Sequence, residues 1–229
     1  MLKLVVIGTI AVVAQAFHPI RDEIVHAIRQ RTGMWQAHDV ETNPLSNKSY
    51  QELLGLCGTF MVPANEIFPG SDVTDTPTDF DASKQWPDFV HPIRDQQSCG
   101  SCWAFGATEA FSDRFAIASS GKINVVLSPE DMVSCDRNDF GCGGGYMSMA
   151  WIYLQNNGVV TDSCFPYTAG KGVEAACATS CVDGSAFTKY KCAANSIVHP
   201  KSVDEIKSEI FNHGPVEAAF TVYEDFFSY

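Results

Sequence analysis

Gln96-Gln97-Ser98-Cys99-Gly100-Ser101-Cys102-Trp103 opens a long, mostly apolar run from Ala104 to Ala118. The run is too long for a strand and holds no Pro, so it reads as a buried helix. Cys102 then falls in the first turn. Open N–H groups and the positive end of the helix dipole favour a thiolate there. The thiolate is the competent nucleophile of thiol chemistry. Such a placement suits acyl transfer.

Cys99-x-x-Cys102 also matches a redox pair or half a zinc site. Zinc needs a second ligand pair at suitable spacing, and a redox pair needs a preceding strand in a βαβ unit. The sequence offers neither context. Cys99-Gly100-Ser101-Cys102-Trp103 instead resembles the nucleophile signature of papain-like cysteine proteases. The longer string, Ile93-Arg94-Asp95-Gln96 through Trp103-Ala104-Phe105-Gly106-Ala107, resembles the cathepsin B branch. The resemblance runs from Phe17 to Tyr229. It implies an α+β fold of two domains, one helical and one β-barrel-like and incomplete here, behind an N-terminal pro-segment. It makes Cys102 the nucleophile and Gln96 the side-chain oxyanion donor beside the Cys102 N–H. Losing one such donor typically costs about 100- to 1000-fold in rate. Gln97 departs from the pattern, standing where the family usually has Gly.

With 45% hydrophobic and 18% charged residues, the 229-residue chain can build a substantial core. A formal net charge of -12 argues against nucleic acid and anionic membranes as partners. Residues 1–16 read as a secretory signal peptide. Lys3 is the basic start, Leu4 to Val13 the apolar stretch, and Ala14-Gln15-Ala16 the cleavage site. A short buried helix is the plainer alternative. No other run is long enough to span a bilayer. The expected compartment is the secretory pathway, ending in a lysosome-like or endocytic vesicle or outside the cell. Nine cysteines fit an oxidising environment. Spacing does not give their connectivity. The resemblance implies Cys99–Cys142, Cys135–Cys177 and Cys164–Cys181, pairs that do not include Cys57 or Cys192.

Residues 17–75 read as an inhibitory propeptide, with an ordinary N-terminal subdomain as the alternative. Ile20, Ile24, Val25 and Ile28 recur at helical spacing, predicting a helix around Asp22–Arg31. Phe17-His18-Pro19, Trp35-Gln36-Ala37 and Leu56-Cys57-Gly58-Thr59-Phe60 resemble the short cathepsin B pro-segment. In that family the segment runs backwards through the cleft and blocks it. Asn47-Lys48-Ser49 matches a glycosylation acceptor. Pro69 to Pro77 reads as an exposed linker, with processing expected near Thr74–Thr78. Residues 76–229 form the peptidase portion. Ser128 with Pro129 predicts a helix start. Another helix is expected from Tyr146 to Gln155, stopped by Gly158. Ser202-x-x-Glu205 predicts a capping box and a helix to Asn212. Val216 to Tyr223 reads as a strand, by its β-branched and aromatic content.

Cys142-Gly143-Gly144-Gly145-Tyr146 reads first as a tight turn before a helix. By the resemblance Gly144 and Gly145 leave bare backbone for an extended substrate. Tyr146 and Ala219 would border the subsite for the second residue before the cleaved bond, and plain packing is the alternative for both. The stretch matching the cathepsin B occluding loop, Tyr167 to Cys177, is short and has no His. Endopeptidase action without dipeptide release is therefore expected. The family's base His lies about 130–150 residues or more beyond the Cys. His199 and His213 lack its Gly-His-Ala context and read as structural or exposed. By the resemblance the chain stops mid-domain, without the His and Asn, so it is expected to be nearly inactive alone and to fold poorly. Peptide or protein substrates and the chain's own propeptide are the expected partners of a monomer; no metal or organic cofactor is implied. A non-catalytic protease-binding or inhibitory pseudo-enzyme is the alternative function, and a redox protein a third.

Overall fold

The structure is a computed structural model that describes residues 18–31, 33, 35–61 and 68–229. The expected signal peptide, and Phe17 after it, lie outside the described residues. The chain falls into two compact units. The smaller takes the described residues up to Cys57 together with Phe220–Tyr229; the larger is Gly58–Ala219.

In the smaller unit, α1 spans Asp22–Arg31. Asp22 and Glu23 open it and Arg29 and Arg31 close it, which suits the helix dipole at both ends. Its apolar stripe buries Val25 and Ile28 against Ala37, as the spacing predicts. A second helix, α2, spans Tyr50–Gly55 behind a full capping box. Ser49 Oγ accepts from the Glu52 N–H, and Glu52 Oε2 accepts from the Ser49 N–H at 2.7 Å. Leu53 on α2 is fully buried with Ile20 and Phe227. Asn43 Nδ2 donates to Phe227 O at 2.8 Å, and Arg21 pairs with Glu224 at 2.6 Å.

In the larger unit, α3 is a single turn at Ala82–Gln85, and α4 spans Cys102–Ala118. Helix α4 is the centre of the core. Its Trp103, Ala104, Ala107 and Phe111 pack with Met132 and Val133 of α5 (Pro129–Cys135) and with Ala150, Tyr153 and Leu154 of α6 (Met147–Asn156). Polar residues in α4 are satisfied inside the helix. Thr108 Oγ1 donates to Ala104 O and Ser112 Oγ to Thr108 O. Ser128 caps α5 through the Asp131 N–H, with Pro129 in the first turn, as expected.

Two acids in the first turn of α5 are fully buried, and each ties down a distant segment. Glu130 Oε2 accepts from the Thr168 and Ala169 N–H groups at 2.6 and 3.0 Å. Asp131 accepts from the Val160 N–H, the Tyr153 hydroxyl and Lys189 Nζ. Burial and the Asp131 carboxylate push the Tyr153 phenol up. Disulfides join Cys99–Cys142, Cys135–Cys177 and Cys164–Cys181, the pairs the resemblance implies.

Helix α7 spans Val203–His213. Half of its expected capping box forms: Ser202 Oγ accepts from the Glu205 N–H. Glu205 turns its carboxylate to the N–H groups of Lys201 and Ser71 instead of back to Ser202 N. The stretch expected as an exposed linker is exposed along most of its length and is tethered at Ser71 and Thr74. Ser208 Oγ accepts from Thr74 N–H at 2.9 Å, and Asn212 Nδ2 donates to Thr74 Oγ1 at 2.8 Å.

The strand expected at Val216 to Tyr223 does not form. Residues 214–223 are neither helix nor strand, and β pairing among the described residues is limited to isolated bridges. A strand exists only by hydrogen-bonding to a neighbour. No described segment pairs with this one, so Phe220 and Tyr223 are left 62% and 72% exposed despite their β propensity.

Candidate active site

Cys102 is the first residue of α4, preceded by Ser101, which makes no side-chain cap. The loop before it is tied down from several sides. The Ser98 N–H donates to Gly170 O at 2.8 Å and the Gly100 N–H to Cys142 O at 3.1 Å. Trp103 Nε1 donates to Gly141 O at 3.0 Å. Tyr167 ties the loop at two points and was not singled out from sequence. Its hydroxyl donates to Gln96 O at 2.8 Å and lies 2.9 Å from Ser101 Oγ, while its ring packs edge-on against Phe105. Burial pushes its phenol up. Tyr167 thus fixes both ends of the loop that presents Cys102. No sequence signal marked it beyond an aromatic residue in a loop.

Gln97 adopts a left-handed φ of 57°. Such a backbone costs a residue with a side chain roughly 1–2 kcal/mol. Gly170 leaves room for it: a Cβ there would meet Gln97 Oε1 at 2.5 Å. A missing side chain at one position admits the unusual one at the other.

Gln96 Nε2 donates to Cys99 O at 2.9 Å, which holds the amide on the nucleophile loop. Gly144, Gly145 and Tyr146 gather around the segment Gly58–Phe60. The Gly145 N–H donates to Gly58 O, and the Phe60 N–H donates to Gly145 O, both at 2.8 Å. Thr59 bridges Gly145 in parallel sense, and its Oγ1 lies 3.1 Å from Cys102 Sγ. The Phe60 ring sits 5.2 Å from Tyr146 and 5.9 Å from Phe140. Glycine is required here by close approach. A Cβ on Gly145 would meet the Trp103 indole at 2.5 Å, and one on Gly58 would meet Gly100 O at 1.9 Å.

Ala219 is half-buried. No described His hydrogen-bonds Cys102. His91 Nδ1 bonds Asp113 at 2.7 Å; the His199 N–H donates to Pro69 O; His213 is exposed in the last turn of α7. The short segment after Tyr167 forms a 3-10 turn at Ala169–Lys171, and its Glu174 Oε1 accepts from the Cys142 N–H at 2.8 Å. Among the described residues no group of three or more His, Cys, Asp or Glu could hold a metal ion.

A family model described as papain family cysteine protease matches residues 76–229. The chain is 43% identical over 184 residues to cathepsin B-like cysteine proteinase 4 of Caenorhabditis elegans, covering 67% of this chain and 55% of that one. It is 37% identical over 157 residues to cathepsin B-like CP3 of Giardia intestinalis, covering 68% and 52%. The chain therefore spans about half the length of these curated relatives. The solved structure of procathepsin B S9 from Trypanosoma congolense superposes with a TM-score of 0.82 at 26% identity, over 92% of this chain and 75% of that one. Digestive procathepsin L2 of Tenebrio molitor superposes with a TM-score of 0.55 at 25% identity, over 67% and 50%. A nucleophile loop tied to a helix start, glycines bared beneath an extended segment and these likenesses agree: the chain belongs to the papain family of cysteine proteases, in its cathepsin B-like branch.

Proposed function

We propose that the chain is the zymogen form of a cathepsin B-like cysteine endopeptidase. Residues 1–16 are its secretory signal, 17–75 its inhibitory propeptide and 76–229 its peptidase portion. One observation carries this reading. Thr59 lies against the Cys102 sulfur while its neighbours pair with Gly145 across a parallel bridge, so the segment occupies the strip proposed for an extended substrate. Once that segment leaves, the Cys102 thiolate attacks the carbonyl carbon of a bound peptide bond. The Gln96 amide turns from Cys99 O to the oxyanion and works beside the Cys102 N–H. Gly144, Gly145 and Tyr146 hold the peptide extended, with Ala219 as a further subsite residue. An imidazole must protonate the leaving amine. No described His bonds Cys102, so this chain by itself is expected to turn over poorly. The same observation favours the second reading, a non-catalytic chain that binds proteases or peptides. The short His-free segment from Tyr167 to Cys177 supports internal cleavage over dipeptide release. Three disulfides support a secretory destination, in an endocytic or lysosome-like vesicle or outside the cell. Among the described residues no helix is long and apolar enough to cross a membrane.

The test is labelling of Cys102 by a peptidyl electrophile, before and after an added protease cuts within residues 69–79. Cys102 should be modified only after the cut, and Cys102→Ser should abolish labelling. Equal labelling of the uncut chain would remove the zymogen reading. Inhibition of a related active protease by the purified chain would favour the binding reading.

A further inference from the structure

The peptide group between Gly145 and Tyr146 is bonded on both sides. Its carbonyl accepts from the Phe60 N–H at 2.8 Å, and its N–H donates to Asp139 Oδ1 at 2.7 Å. One amide thus joins the Asp139 carboxylate to the extended segment. Asp139 is only 7% exposed, and its Oδ2 is buried with no hydrogen-bond partner among the described residues. The rest of the turn is closed on itself. The Phe140 N–H donates to Gly144 O, the Gly143 N–H to Phe140 O, and Cys142 is pinned to Cys99. Asp139 is therefore the adjustable element of an otherwise fixed rim.

We propose that Asp139 is a positioning residue for the cleft: through the Gly145–Tyr146 peptide it sets the orientation and acceptor strength of the carbonyl that pairs with extended chain. This rests on the reading that Gly145 receives substrate as it receives Gly58–Phe60. A carboxylate acceptor makes a stronger bond to an N–H than a neutral one. Hydrogen bonds in series polarise one another, so a charged Asp139 strengthens Gly145 O as an acceptor.

The pairing then depends on pH. Burial, with the charge of Asp136 added, pushes the Asp139 carboxyl up to about 6, against the pull of the Tyr146 N–H. Charged and titratable neighbours come from three places. Asp136 and Arg137 stand on the preceding turn, and Glu174 lines the same recess. Glu217 is pushed up to about 8 by burial, with a smaller push from Asp139 against its bond from Trp151 Nε1. Asp139 is charged above its folded pKa and neutral below it. The segment over Cys102 should therefore loosen as pH falls through about 6.

The test compares alkylation of Cys102 in the uncut chain with that in Asp139→Asn, peptide by peptide, across pH. Their ratio cancels the titration of Cys102 itself. Asn keeps an acceptor oxygen without the charge. Near neutral pH Cys102 of the variant should react about fivefold faster, the gap between a charge-assisted and a neutral hydrogen bond. Well below pH 6 the two rates should converge. A ratio that does not change with pH overturns the proposal. Cys192 packs on the core and its thiol is pushed up to about 12 by burial, so its labelling reports unfolding of the variant. Should Cys192 react in parallel, the unaltered chain decides. Its Tyr146 amide resonance must titrate near pH 6, and a flat response overturns the proposal. Should removal of residues 58–60 leave the Cys102 rate unchanged, the zymogen reading fails instead, while the Tyr146 titration still reports on Asp139.

Discussion

The two units are held together by different means. The larger one carries all three disulfides found among the described residues, between Cys99 and Cys181, around one continuous core centred on α4. The smaller one has two small clusters, Ile20 with Leu53 and Phe227, and Val25 with Ile28 and Ala37. It draws on segments far apart in sequence, as the bond from Asn43 to Phe227 shows. The larger unit is covalently stapled. The smaller unit, in which most of the described pro-segment packs with Phe220–Tyr229, relies on packing, hydrogen bonds and ion pairs.

That contrast is breakable in three ways. Reduction should have the largest effect. Loops closed by disulfides 43, 42 and 17 residues apart contribute stability through the unfolded chain. At about 3–4 kcal/mol each, their loss is comparable with the whole stability of a domain. Amide exchange under reductant should rise sharply across 99–181 and change little at 20–56. Leu53→Ala should do the reverse. Removing a fully buried Leu costs about 2–5 kcal/mol, so exchange should rise through α1 and α2 while α4 stays protected. Arg21→Ala, which breaks a pair with half-exposed Glu224, should cost under about 1 kcal/mol and barely move the melting of the smaller unit.

Much of the helical half was legible in the sequence because its signals are local. The Ala104–Ala118 run with Cys102 at its head became α4, Ser128-Pro129 became the start of α5, and the Ile–Val spacing became α1. Ser49-x-x-Glu52 is an equally local signal that sequence reading passed over. What failed to read depends on partners far away. Glu130 and Asp131 look like ordinary acids at a helix start, yet they are buried because Thr168, Ala169, Val160 and Lys189 come to them. Tyr167 and Asp139 gain their meaning only from the loops they hold. Val216–Tyr223 has strand composition and no described partner, and composition alone cannot supply one.

The three disulfides have an additional property, one of chain connectivity. Their loops overlap in sequence: 99 to 142, 135 to 177 and 164 to 181. Every peptide bond between Cys99 and Cys181 therefore lies inside at least one closed ring. A single nick anywhere in that stretch leaves one covalent molecule, with Cys102 still attached to the chain on both sides of the cut. Such nick tolerance keeps the covalent frame around Cys102 in one piece after a cut within this stretch.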